Sequence, residues 1–261
     1  MSLFHRAFHL AHFIFPHGGT CLEFGVFKGG TYCYQAQEIL TKYRSSSLIG
    51  FDSWQGLPVE TDGVWAPERH APAEYAAPKT VLLQKLAALG IESSDRRFRL
   101  IDGYFSDSLT RELQREIHDV SFINVDVDIH RSTIELLDFV RPLLRPGVVI
   151  YWDDWQNPKD EHPGAWGEHL AWSQWYPEQD LEVVTIEVNA LNQRSMVVTR
   201  VGDQKLAPPL PSMADIRCHT HELETTSELD PDYRRFLRMK TRMSGIPLLK
   251  PLVRAIRAIV K

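Results

Sequence analysis

The stretch Ile123-Asn-Val-Asp126-Val-Asp128-Ile-His130-Arg-Ser-Thr133 decides the fold, together with its echo Val148-Val-Ile-Tyr-Trp152-Asp153-Asp154-Trp155. Each is a short apolar, β-branched run that ends abruptly in acidic residues, the pattern of a buried parallel strand whose carboxyl end opens onto a site. Between them Ile134, Leu137, Val140 and Leu144 recur at helical spacing over residues 133–144; Pro142 weakens the last turn and Arg145-Pro-Gly147 ends it. Strand, helix, strand is a parallel crossover, which puts both strand ends on one rim of the sheet. Asp126, Asp128, Asp153 and Asp154 are therefore expected to converge. Carboxylates crowded in this way repel, and a divalent cation relieves the repulsion. For a single acid pair, helix caps or solvated loop acids would be the plainer reading; two pairs on neighbouring strands favour a metal site.

The chain of 261 residues suits one α/β domain plus an appendage, and its 43% apolar fraction excludes a wholly disordered protein. A formal net charge of −5 argues against a dedicated nucleic-acid binder. Cys21, Cys33 and Cys218 are an odd number without metal-ligand spacing, so they read as thiols in a reducing compartment. Residues 3–15 are apolar but interrupted by His5, Arg6, His9 and His12. They read as an amphipathic helix, neither a signal peptide nor a membrane span, and the expected location is cytoplasmic.

In chain order, Thr20-Cys-Leu-Glu23-Phe-Gly25 is a strand entering the glycine loop Val26-Phe-Lys-Gly29-Gly30-Thr31, with a helix over residues 32–42. The Gly25-x-x-x-Gly29 spacing departs from the G-x-G-x-x-G that cradles a dinucleotide, and Glu23 suits an ammonium group better than a phosphate. Ser47-Leu-Ile-Gly-Phe51-Asp52 is a second strand, ending in an acid where such folds place a ribose-hydroxyl acceptor. Trp54 follows, to stack on a purine or to pack under its own loop. Residues 59–78, rich in proline and aromatics, read as a substrate-side loop. A helix over 79–89, a strand at 98–101 ending in Asp102-Gly103, and a helix over 109–117 precede the acidic unit. A Trp-rich helix over 165–175 and an antiparallel hairpin of 181–188 with 195–199 follow it. About seven strands, the first five alternating with helices, make a doubly wound α/β sheet over residues 1–202. Residues 203–261 form a proline-rich linker and a basic extension. Within 246–261, Lys250, Arg254, Arg257 and Lys261 oppose an apolar face that fits anionic lipid on the inner face of a membrane, a second subunit in a homodimer, or the domain itself.

Four motifs carry a resemblance. Leu22 to Thr31, Gly50-Phe-Asp52-Ser53-Trp54-Gln-Gly-Leu-Pro58, Val125 to Thr133, and Asp153-Asp154 resemble the macrocin O-methyltransferases, over residues 20–200. That family uses S-adenosylmethionine and a metal to methylate sugar hydroxyls. The resemblance implies a Rossmann-like class I methyltransferase sheet with strand order 3-2-1-4-5-7-6. It assigns Glu23 and the Gly25–Gly29 loop to the methionine part of the cofactor, Asp52 to the ribose, and Asp102 and Gly103 to the adenine side. Thr31, Ser53, Trp54 and Asp126 complete the cofactor set. It assigns Asp126, Asp153 and Asp154 to the metal and Asp128 to the catalytic base. The sequence departs from the family at Val127, His130 and Arg131, where Gly, Tyr and Glu are usual.

The chemistry is coherent. A sugar hydroxyl keeps its proton at neutral pH, and a hard cation held by carboxylates lowers the hydroxyl's pKa and orients the oxygen; oxygen ligands favour Mg²⁺, or Mn²⁺, over zinc. A base then takes the proton, for which His130 competes with Asp128. The implied acceptor is a glycan, a glycolipid or lipopolysaccharide precursor, or a glycosylated natural product. The alternatives are a glycosyltransferase using Asp126-Val-Asp128 and a non-catalytic S-adenosylmethionine-binding protein anchored by its tail.

Overall fold

The computed structural model describes residues 2–59, 72–155 and 167–206. Most of the expected substrate-side loop and the extension from residue 207 onward, with its basic segment 246–261, lie outside them.

Strands β1 (Thr20–Phe24), β2 (Ser47–Asp52), β3 (Phe98–Asp102), β4 (Val120–Val125) and β5 (Val149–Trp152) are all parallel, and β6 (Leu181–Val188) and β7 (Arg194–Val201) form the antiparallel hairpin. The order is β3-β2-β1-β4-β5-β7-β6, as expected, with an unanticipated two-residue strand β8 (Gln204–Lys205) paired to β7. The central strands are buried on both sides because successive side chains enter different cores. Ile123, Val125, Ile150 and Trp152 join one cluster, and Phe122, Val149 and Tyr151 join the other.

Helices α1 (Leu3–Ile14), α2 (Gly30–Thr41) and α3 (Lys79–Ala88) contribute Phe4, Phe8, Ile39, Leu82 and Leu86 to the second cluster. Helices α6 (His130–Val140) and α7 (Gly167–Trp175) contribute Leu136, Leu137, Trp172 and Trp175 to the first. The helix expected over 109–117 is α5 (Arg111–Glu116), and an unanticipated short helix, α4 (Phe105–Ser108), precedes it. Thr110 separates them by accepting the Leu113 N–H as an N-cap. Helix α6 begins three residues before position 133 and gives way to a 3-10 turn at Arg141–Leu143, where Pro142 has no N–H to continue the ladder.

Helix α1 differs most from its reading. It packs on β4, β5 and β7, and the histidines that interrupt its apolar run are themselves buried. His9 bonds Tyr43 Oη through Nδ1 (2.7 Å) and Tyr34 Oη through Nε2 (3.0 Å). His12 bonds the Phe8 carbonyl and Ser46 Oγ, and His5 stacks on Tyr34 with ring centroids 4.0 Å apart. Burial pushes His5 down to about 3, and burial, opposed by the Phe8 carbonyl, pushes His12 down to about 4.

A histidine neutral when folded but free to protonate when unfolded contributes stability that is whole above about pH 6.5 and falls by about 1.4 kcal/mol per pH unit below it. Phenylalanine at position 5 keeps the ring and removes the titration. The stability of His5→Phe relative to the parent, from urea unfolding, is therefore expected to improve by about 2 kcal/mol between pH 7 and pH 5. A pH-independent difference would show that the ring is not held neutral by the fold.

Candidate active site

Parallel strands deliver their carboxyl ends to one rim, and here each strand stays bonded one residue past its end. Gly25 N–H donates to the Phe51 carbonyl, Asp126 N–H to Phe24, and Asp153 N–H to Val125, each at 3.0 Å. Gly103 N–H donates to Asp52 at 3.1 Å. The loops therefore leave the sheet from a common edge. At its centre Gly25 has φ +84°, and a Cβ there would lie 1.9 Å from the Asp126 carbonyl oxygen. Only glycine allows the β1 and β4 loops to meet so closely. A cavity opens at this junction, lined by Gly25, Phe27, Asp52, Ser53, Tyr75, Gly103, Tyr104, Phe105, Asp126 and Asp128 among others.

Asp52 faces this cavity but already holds the glycine loop. Its Oδ2 accepts the N–H groups of Val26 (2.8 Å) and Phe27 (2.7 Å), and its Oδ1 accepts that of Trp54 (2.7 Å). Burial pushes its pKa up, and these three bonds oppose the shift. A carboxylate offers about four lone-pair sites, so Asp52 retains room for one further donor, not for a pair of ribose hydroxyls at full geometry. Ser53 and Gly103 line the cavity as well.

Other residues of the expected cofactor set do not line the cavity. Glu23 is 0% exposed and accepts Thr31 Oγ1 (2.7 Å) and Gln35 Nε2. Burial raises its pKa to about 8, opposed by the Thr31 bond and aided by the Asp126 charge. Glu23 and Thr31 thus brace the start of α2, and Gly29 supplies the positive φ (+75°) that turns the chain into that helix. Asp102 receives Lys79 Nζ at 2.6 and 2.8 Å and Trp54 Nε1 at 2.8 Å. The Trp54 indole is therefore tied to the rim at Asp102.

Among the described residues, the carboxylates that come within 4.8 Å of one another are those of Asp126, Asp128 and Asp154. The expected set contained Asp153 in place of Asp128. Asp153 instead accepts Tyr151 Oη (2.8 Å) and Gln193 Nε2, and the alternation of side chains along β5 explains why. Tyr151 and Trp152 enter opposite cores, and Asp153 follows Tyr151. Asp128 reaches the cluster from a left-handed backbone, φ +62°. His130 bonds Gln174 of α7 through Nε2 (2.7 Å) and does not line the cavity. Three hard oxygen donors at this spacing fit Mg²⁺ or Mn²⁺ and offer nothing that selects zinc.

Two residues here carried no motif in the sequence. Glu168 of α7 is 0% exposed, and burial followed by the Asp154 charge pushes its pKa well above the carboxylate range. Arg194 of β7, opposite Trp152, stacks its guanidinium over Trp155 at 4.0 Å. Glu168 could have been sought as an acid buried early in a Trp-rich helix; Arg194 gave no signal at all.

Residues 22–155 match the methyltransferase domain family. No curated protein matches the sequence. Among solved structures, the O-methyltransferase NovP aligns with a TM-score of 0.60 at 20% identity, over 75% of this chain and 78% of its own. The calicheamicin methyltransferase CalS11 aligns with a TM-score of 0.54 at 22% identity, over 74% and 77%. The domain match favours methyl transfer over the glycosyltransferase alternative. No helix among the described residues is long and apolar enough to cross a membrane.

Gly25→Ala tests the junction. Its Cβ must displace the Asp126 carbonyl from a left-handed backbone, and we expect a loss of more than about 2 kcal/mol in urea unfolding, with weakened S-adenosylhomocysteine binding by calorimetry. Parental values for both would mean that the β1 and β4 loops do not touch in solution.

Proposed function

The chain belongs to the methyltransferase domain family, and from that premise we propose that it methylates a sugar hydroxyl, using S-adenosylmethionine and assisted by Mg²⁺ or Mn²⁺. The observation that carries the reading is the meeting of Asp126, Asp128 and Asp154 beside a cavity whose other wall is the glycine loop and Asp52. In this reading Gly25, Asp52, Ser53 and Gly103 hold the cofactor, and Glu23, Thr31, Trp54 and Asp102 shape the loops that do so. Asp126 belongs to both groups and joins methyl donor to acceptor. A divalent ion at Asp126, Asp128 and Asp154 supplies Lewis acidity to the acceptor hydroxyl.

S-adenosylmethionine held by these residues would supply its methyl group to the acceptor oxygen and leave as a neutral thioether, its sulfur keeping the electron pair of the broken carbon–sulfur bond. The proton goes to Asp128, which lines the cavity; His130 is turned toward Gln174. The acceptor class rests on the macrocin-type motifs and on the fold shared with NovP and CalS11, an O-methyltransferase and a calicheamicin methyltransferase.

Calorimetric titration with S-adenosylhomocysteine and with UDP-glucose, each with Mg²⁺ and with EDTA, tests the donor. Binding of the first that survives EDTA is expected. Binding of the nucleotide-sugar alone, and only with Mg²⁺, would overturn methyl transfer. Asp154 does not line the cavity, so Asp154→Ala should lower metal-stimulated kcat by at least about 100-fold and leave S-adenosylhomocysteine affinity nearly unchanged. Full turnover in that variant would remove the metal assignment.

A further inference from the structure

We propose that Glu168 is a positioning residue, which ties the β4 and β5 loops together at the spacing a divalent ion needs; this rests on the metal reading above. The backbone bonds between the two loops end where Asp153 N–H meets the Val125 carbonyl. Beyond that point Glu168 connects the two loops. Its Oε1 accepts the Val127 N–H at 3.1 Å and its Oε2 accepts the Asp154 N–H at 3.2 Å. Val127 stands between two of the clustered acids, and Asp154 is the third. One side chain thus grips both loops by their backbones.

A second contact reaches the same place independently. Gly167, the first residue of α7, has φ +55°, and a Cβ there would lie 2.4 Å from the Asp128 carbonyl oxygen. The start of α7 therefore lies on the backbone carrying Asp128 while its next residue bridges Val127 and Asp154. Glu168 is not itself one of the clustered ligands, since both of its oxygens face N–H groups.

Two N–H groups converging on one buried side chain need an acceptor at each end. A carboxylate supplies both. Glutamine supplies one and turns an NH₂ group toward the other donor. A carboxylate packed beside three others is an unfavourable choice for stability alone. Its presence is explained if the gain comes when the cluster is loaded.

The test uses the full chain and Mn²⁺ alone. For the parent, Glu168→Gln and Gly167→Ala, free Mn²⁺ is followed by electron paramagnetic resonance, melting temperature is measured in EDTA and in Mn²⁺, and S-adenosylhomocysteine affinity is measured by calorimetry. Glu168→Gln is expected to bind Mn²⁺ about 10-fold or more weakly. It should lose most of the metal-induced rise in melting temperature, yet melt near the parent in EDTA and bind S-adenosylhomocysteine as the parent does. Gly167→Ala, which moves the same loop with Glu168 intact, should weaken Mn²⁺ in the same direction. Parental Mn²⁺ affinity in Glu168→Gln overturns the proposal. So does a lower melting temperature in EDTA with an unchanged metal-induced rise, the mark of a merely structural bond. A parent that binds no Mn²⁺ would instead remove the metal reading beneath it.

Discussion

The contact between the Gly25 backbone and the Asp126 carbonyl is the constraint on which the rest of the site depends. Strands β1 and β4 lie at the middle of the sheet, and their loops leave from the same rim. If either loop carried more bulk at that point the two would part. The cavity floor and the acid cluster would then belong to separate places. Because the approach is permitted, Asp126 can face the cavity with its neighbours while its carboxylate meets Asp128 and Asp154. The site is continuous because one residue has no side chain.

Both halves of the rim are shaped by the same device. A buried carboxylate sits on the concave side of a loop and accepts the N–H groups that the turn points inward. Asp52 does this for the glycine loop and Glu168 for the acid-bearing loops. Glu23 works in a related way, gathering Thr31 and Gln35 on the first turns of α2. Each choice is electrostatically uncomfortable, and burial pushes all three carboxyl groups toward the protonated form. The arrangement favours loop shape over charge balance.

The fold was legible because it rests on patterns with short periods. Apolar runs ending in Asp52, Asp126 and Asp153 mark the strand ends, and the 3.6-residue spacing of Ile134, Leu137 and Val140 marks the crossover helix. Strand order came only with the family resemblance that the four motifs carry. The details that escaped depend on three-dimensional neighbours. Histidines on α1 look polar in one dimension and are buried against Tyr34 and Tyr43. Thr110 starts α5 as its N-cap, two residues past the short helix α4 that amphipathic spacing did not reveal. Glu168 lies 41 residues from Val127 and 14 from Asp154, and only its place early in a Trp-rich helix set it apart from a surface acid.

Asp153 and Asp154 look like duplicates, and the sheet makes them opposites. One bonds Tyr151 and Gln193, and the other meets the acid cluster. What separates them is parity: counting along β5, odd positions serve one face and even positions the other. Inserting a single residue between Val149 and Asp153 would carry Asp153 into the place that Asp154 now holds, presenting the first acid to the cluster and moving the second beyond it. The adjacent pair therefore lets the strand tolerate a shift of one residue in reading without leaving the site bare of a carboxylate, a tolerance that a lone aspartate at the same strand end would not have.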